Sequence, residues 1–181
     1  LDFTKYDTSA AGSKKSFNDY QVGELIDHID GNTICEADHL FATRLWQNNS
    51  KVHFDINARE DKKRLIYGGH IISLVRALSF NGLENAQLIV GINGGTHANP
   101  VFAEDTIYCW SEVLDKIDLN VRNIAALRLR SVGTKEKNHN MRLKSDDRKY
   151  LPTIVLDFDY WVLVPRDCLL YTSPSPRDLY R

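Results

Sequence analysis

Cysteines are few, and their spacing suggests no pairing. Cys35, Cys109 and Cys168 are scattered without a CxxC doublet, which leaves ordinary reduced thiols in a cytoplasmic protein as the expectation. Long apolar runs are missing as well. No stretch approaches the ~20 residues of a membrane span, and no signal-peptide pattern opens the chain. Excess charge of either sign is absent: the formal net charge of −1 removes the electrostatic case for a nucleic-acid or anionic-membrane partner. The glycine-rich Gly91-Ile-Asn-Gly-Gly95 lacks the Gly-Lys-Ser/Thr of a phosphate-binding loop, so it does not point to a nucleotide. The histidines and carboxylates that could ligate a metal, His53, Asp55, His70 and His97, have no ligand spacing, and no metal site is expected. There is no initiator methionine before Leu1, which suggests a piece of a longer protein.

What is present suits one well-cored domain, with 181 residues and 43% hydrophobic content. Residues 1–19 are small and polar and read as an irregular lead-in. Tyr20–Ile26 is expected to be a short strand or extended segment, followed by a turn at Asp30-Gly31. Thr33-Ile-Cys-Glu36 has the spacing of a capping box. It would open a helix over Glu36–Trp46 that buries Ala37, Leu40, Phe41 and Leu45.

After a polar segment, Gln47–Asp55, and a charged loop, the chain reaches its most apolar helical stretch. From His70 to Phe80, Ile71, Leu74, Val75 and Leu78 recur at i, i+3, i+4 and i+7. The other sides are apolar too, so this helix should be buried nearly all round, with Asn81-Gly82 ending it. Gly68-Gly69 at its start leaves backbone N–H groups open to close approach, a possible anion site.

Beyond Gly82 the period changes to that of strands: Gln87–Asn93, Thr106–Leu114, Ile124–Val132 and Thr153–Val164. Arg128 and Arg130 fall on a wet strand face, and Thr134–Lys149 reads as a long hairpin loop. Helices first and antiparallel strands after define an α+β domain. The economical arrangement is a curved antiparallel sheet wrapped around one buried helix, the hotdog fold. From Asp167 onward the periodicity stops at Thr172-Ser-Pro-Ser-Pro176. The reading is therefore a domain over 20–166 and a non-native, adapter-derived tail over 167–181.

Several motifs carry a resemblance. The order of helix, polar segment ending in His53-Phe-Asp55, variable loop, and Ile66-Tyr-Gly-Gly-His-Ile-Ile-Ser-Leu74 resembles the MaoC-type enoyl-CoA hydratase family. Its Pro-Val-x-x-x-Asp-Thr strand entry is matched by Pro100-Val-Phe-Ala-Glu-Asp-Thr106, with Glu104 where a glycine is usual. Lys51–Asp55, Tyr67–Gly82, Trp110–Lys116 and Leu156–Trp161 resemble the branch acting on mesaconyl-CoA. Members of that branch have two hotdog repeats, and this chain would be the first.

The resemblance implies a hydro-lyase for a short branched enoyl-CoA. His53 would move the proton, and Gly68 or Gly69 would donate to the thioester oxyanion. Asn48 stands where the family has its aspartate. An amide is no general base, so either His53 works with water alone or a carboxylate such as Asp55 substitutes. His70 could contact substrate. Arg76, midway along the helix, needs an anion, either Glu112 or Asp105 or the free carboxylate of a dicarboxylic acyl-CoA. Coenzyme A enters as part of the substrate, and no further cofactor is implied. The expected partner is a second hotdog, either a second copy in a homodimer or the missing repeat. A non-catalytic acyl-CoA-binding half and a hotdog thioesterase are the competing readings.

Overall fold

The computed structural model describes residues 1–137 and 142–167. Five strands form one antiparallel sheet in the order β1-β3-β4-β5-β2. They span Leu25–Thr33 (β1), Leu88–His97 (β2), Thr106–Val121 (β3), Ile124–Thr134 (β4) and Ile154–Pro165 (β5). Helix α1, Glu36–Leu45, and helix α2, Gly68–Leu78, lie between β1 and β2 in the chain. This is the hotdog arrangement. The sheet's inner face and α2 share one core, built from Ile71 and Val75 of the helix and from Leu127, Leu129, Leu156, Tyr160 and Val162 of β4 and β5.

The helix can approach β4 because Gly133 has no side chain. A Cβ there would lie 2.8 Å from Val75 Cγ2, a distance that packed cores do not tolerate. Burial of α2 is narrower than its composition suggests. Ile71 and Val75 are buried and Ile72, Leu74 and Leu78 half-buried, while Ser73, Ala77 and Phe80 are exposed. The i, i+3, i+4, i+7 stripe meets the sheet as expected, but Ser73, Ala77 and Phe80 have no cover among the described residues.

Helix α1 departs further from expectation. The residues it buries are His39, Ala42 and Thr43, while Phe41 and Leu45 remain at least 60% exposed. The capping box does not form either. Thr33 still belongs to β1, opposite Thr106 and hydrogen-bonded to it side chain to side chain, so it cannot turn back over the helix start. Glu36 instead pairs with Arg64 at 2.6 Å. The Asp30-Gly31 turn signal is absorbed as a bulge inside β1, where the register shifts between Asp27 and Gly31 and Ile29 takes a φ of 65°.

The outer face of the sheet is partly polar and partly covered. Arg128 and Arg130 each hold a carboxylate across the β4–β5 ladder through two hydrogen bonds, Arg128 with Asp159 and Arg130 with Asp157. Phe3 and Tyr6 of the lead-in pack on Ile124, Ala126, Trp161 and Leu163. Apart from two short 3₁₀ turns, Thr8–Ala11 and Phe17–Asp19, the lead-in is irregular. The expected tail falls outside the described residues from 168 onward. Asp167 itself is described and is tied to Asn18 and Asn123.

Glu104 explains the glycine usual at its position. It precedes β3 with a φ of 74°, in the left-handed region, where its N–H donates to the Ile34 carbonyl at 3.0 Å. A side chain there costs on the order of 1 kcal/mol relative to glycine. Glu104→Gly should therefore raise the denaturant midpoint by the equivalent of ~0.5–1 kcal/mol with an unchanged m-value. A lower midpoint would contradict this account of the turn.

Candidate active site

The site is built around the start of α2. Tyr67 caps the helix in an extended conformation, and Gly68 and Gly69 are its first two residues. Amides in this position have no acceptor within the helix and point outward with the positive end of its dipole. The His70 N–H turns back to the Tyr67 carbonyl at 2.9 Å, which leaves the glycine amides as the open donors.

His39 connects the helix start to the segment carrying His53. Its Nε2 lies 2.9 Å from the His53 carbonyl oxygen, which can only accept, so Nε2 carries the proton. Nδ1 then accepts the Tyr67 backbone N–H at 3.1 Å. Thr43 adds a hydrogen bond from Oγ1 to the His39 carbonyl at 2.9 Å. The imidazole is fully buried, and burial holds its pKa below the ordinary histidine value. A second proton would sit on Nδ1 and face the Tyr67 N–H, so this strut requires neutral histidine.

The same donor logic fixes His53. Its Nδ1 is 2.8 Å from the Leu65 carbonyl oxygen and must donate. In the neutral ring the lone pair is therefore on Nε2, which has no hydrogen-bond partner among the described residues. The flanking backbone is clamped by Leu65 N–H to Val52 and Ile66 N–H to Val101, both at 2.9 Å.

His53 and Gly68 line one cavity of about 430 Å³ together with Ile71, His97, Asn99 and Val155. The His53 and Tyr67 rings meet edge to face with centroids 5.8 Å apart. No carboxylate and no Lys or Arg is among the lining residues.

The structure thus brings His53 and Gly68 together, and places the other candidates elsewhere. Asn48 closes a turn, its Oδ1 accepting the Ser50 N–H at 2.9 Å, and Asp55 does the same for Asn57. Gly69 makes room for the Tyr67 ring, which a Cβ would approach to 2.6 Å. His70 packs near His39, centroids 6.4 Å apart, and burial lowers its pKa. Arg76 donates to Ser79 Oγ at 2.8 Å and to the Ala86 carbonyl, in a separate depression with Phe80 and Glu84. Neither Glu112 nor Asp105 is its partner; Asp105 pairs with Lys135 at 2.7 Å. Among the described residues no three His, Cys, Asp or Glu side chains converge as metal ligands would. No helix there is long and apolar enough to cross a membrane.

Two residues go beyond the expected set. His39 is the strut, and a template that counts only apolar positions cannot see it. His97, weighed in the sequence as a possible metal ligand, is the last residue of β2 and lines the cavity.

This architecture, a single helix embraced by a five-stranded sheet, is the hotdog fold of solved relatives. No family model matches the chain. Among curated proteins it is 57% identical over 166 residues to the mesaconyl-CoA hydratase of Cereibacter sphaeroides, covering 92% of this chain and 48% of that one. It is 52% identical over 166 residues to the β-methylmalyl-CoA dehydratase of Chloroflexus aurantiacus, covering 89% of this chain and 47% of that one. A crystal structure described as a MaoC domain protein dehydratase from Chloroflexus aurantiacus superposes with a TM-score of 0.85 at 50% identity, over 92% of this chain and 49% of that chain. The chain is a close homologue of these hydratases and dehydratases, and it spans about half the length of the curated relatives it matches.

Burial of neutral histidine has a measurable signature. His39 and His28, the latter fully buried with Nδ1 at 2.6 Å from the Asn81 carbonyl, both have pKa values lowered by burial. The unfolded chain takes up a proton on each below about pH 6.5, while the folded chain resists. Their contribution to stability is complete above that pH and is lost as the pH falls toward the folded values. Between about pH 6.5 and the folded pKa, stability should fall by up to ~1.4 kcal/mol per pH unit for each of the two. His39→Gln should lower stability at neutral pH and flatten the slope; an unchanged slope would show that His39 does not titrate on unfolding.

Proposed function

We propose that the chain is the hydratase half of a hydro-lyase that reversibly hydrates a short branched enoyl-CoA, mesaconyl-CoA to β-methylmalyl-CoA. The observation that carries this reading is the shared cavity, with an unpartnered imidazole nitrogen of His53 and the amide-bearing start of α2 on its walls. The two curated relatives are named for the two directions of that reaction.

The protons can be followed through His53. Its Nε2 lone pair takes a proton from water as the oxygen adds to the β-carbon. The π electrons move into the thioester, and the resulting enolate oxygen is stabilised at the α2 N-terminus. The protonated Nε2 then returns its proton to the α-carbon. Hydroxide and proton arrive from one side, and the histidine ends neutral. The family's aspartate position holds Asn48, already engaged in its turn with Ser50, so in this scheme His53 handles both proton steps. The chemistry needs no redox cofactor or metal; coenzyme A belongs to the substrate.

A second hotdog completes the assembly, either another copy or a following repeat. It would cover the bare side of α2 and the exposed Phe41 and Leu45 of α1, with Trp46 just past its end. A cytoplasmic setting suits the buried free thiol of Cys109.

His53→Ala should lower kcat for mesaconyl-CoA hydration by ~10²–10⁴-fold, as removal of a general acid–base does, measured by loss of the enoyl thioester absorbance. Undiminished turnover would remove His53 from the mechanism. Asn48 favours one competing reading, a half that binds acyl-CoA without turning it over; tight binding by calorimetry with no hydration by the wild-type chain would decide for it. A thioesterase reading lacks a carboxylate among the cavity's lining residues.

A further inference from the structure

His97 has a position that the scheme above leaves unused. It ends β2, paired with Leu156 of β5, and the chain beyond it is fixed at once. The Ala98 N–H donates to the Val155 carbonyl at 3.0 Å, and Asn99 Nδ2 donates to the carbonyls of Leu151 and Ile154 at 2.8 and 2.7 Å. The imidazole is therefore carried on a rigid frame.

Unlike His28, His39 and His53, and like His70, His97 has neither ring nitrogen hydrogen-bonded among the described residues. Both ring nitrogens of His28 and of His39 are hydrogen-bonded, and Nδ1 of His53 is as well. The His97 ring has no hydrogen-bond partner among the described residues, and although the residue is exposed it lines the cavity that His53 and Gly68 share.

Its location there is specific. A Cβ built on Gly68 would lie 2.6 Å from His97 Nε2. With hydrogen in its place, Nε2 rests in contact with the first residue of α2, whose amide is open. No carboxylate lines the cavity to hold an imidazolium. The helix N-terminus opposes positive charge, and burial pushes the His97 pKa down in the same direction. A neutral imidazole in this place is a hydrogen-bond donor without a partner among the described residues, beside another such donor.

We infer that His97 is a second oxyanion donor: its imidazole N–H and the amide at the start of α2 converge on the thioester carbonyl oxygen of the substrate. The inference rests on the enoyl-CoA reading given above. His97 transfers no proton. It donates a hydrogen bond that strengthens as the carbonyl becomes an enolate and relaxes as the α-carbon is protonated, and it remains neutral throughout. Donors of this kind act on kcat because charge on the oxygen peaks in the transition state. Gly68 serves both donors, one through its amide and one by leaving room for the ring.

The test compares wild type, His97→Ala and His97→Gln on mesaconyl-CoA and on crotonyl-CoA, which lacks the second carboxylate. His97→Ala should lower kcat by ~10²-fold on both substrates with KM changed only a few-fold. His97→Gln, which restores an N–H donor, should recover at least part of that loss. In the infrared, the thioester carbonyl band of bound butyryl-CoA should be shifted to lower frequency by the wild type and less so by His97→Ala. Unchanged kcat and an unchanged band in His97→Ala would overturn the inference. A loss confined to mesaconyl-CoA would also overturn it, since it would assign His97 to the far carboxylate. If the wild type binds butyryl-CoA but hydrates neither substrate, the hydratase reading fails while the band still decides the role of His97. Failure to bind acyl-CoA at all would overturn both.

Discussion

The site depends on one buried imidazole that must stay neutral. His39 does not itself line the cavity, yet its two nitrogens join the His53 carbonyl to the Tyr67 amide. These belong to separate segments, a short 3₁₀ turn and the cap of α2, that no strand pairing holds together. A backbone carbonyl and a backbone N–H would each be left wanting a partner if the ring were removed, and buried polar groups tolerate that poorly. The distance between base and helix start is thus set in part from α1, beside the clamp that Leu65 makes with Val52 and His53. This also accounts for the face that α1 buries. Two polar side chains and an alanine turn inward because the strut has to be there, and the apolar residues are displaced to the outside.

Much of the architecture was legible from period alone. The stripe on α2 and the alternation in β4 and β5 follow from how a helix and a pleated strand expose their side chains, and those elements lie where the patterns put them. Local punctuation was less dependable. Asp30-Gly31 became a bulge because β1 keeps pairing with β3 beyond it, and Thr33 could not cap a helix while it was still part of a strand. Strand pairing is a long-range effect that overrides local preference, and it does not show in a short window. The same reason extends β2 through Gly94-Gly95 to His97, where a glycine pair suggested an end.

The candidate site was legible in part. His53 and Gly68 were singled out through the resemblance, and they meet in one cavity. His39 was invisible because a lone polar residue in an amphipathic pattern looks like noise; its role arises from partners 14 and 28 residues away. Arg76 illustrates the converse. A cation midway along an apolar helix called for an anion, but the Ser79 hydroxyl at the end of its own helix and the Ala86 carbonyl just before β2 satisfy it.

The glycine pair at the head of α2 reads as a single feature, but its members answer to different neighbours. An alanine in the first place would strike the His97 ring, while in the second it would strike the ring of Tyr67. One position guards the space where chemistry is proposed, and the other guards the shape of the cap. A methyl group at Gly68 would leave a folded protein with a displaced imidazole, whereas at Gly69 it would unseat the residue that begins the helix. Selection on the two codons therefore acts through separate failures, so a lineage that gave up catalysis while keeping the fold would be free to lose the first glycine long before the second.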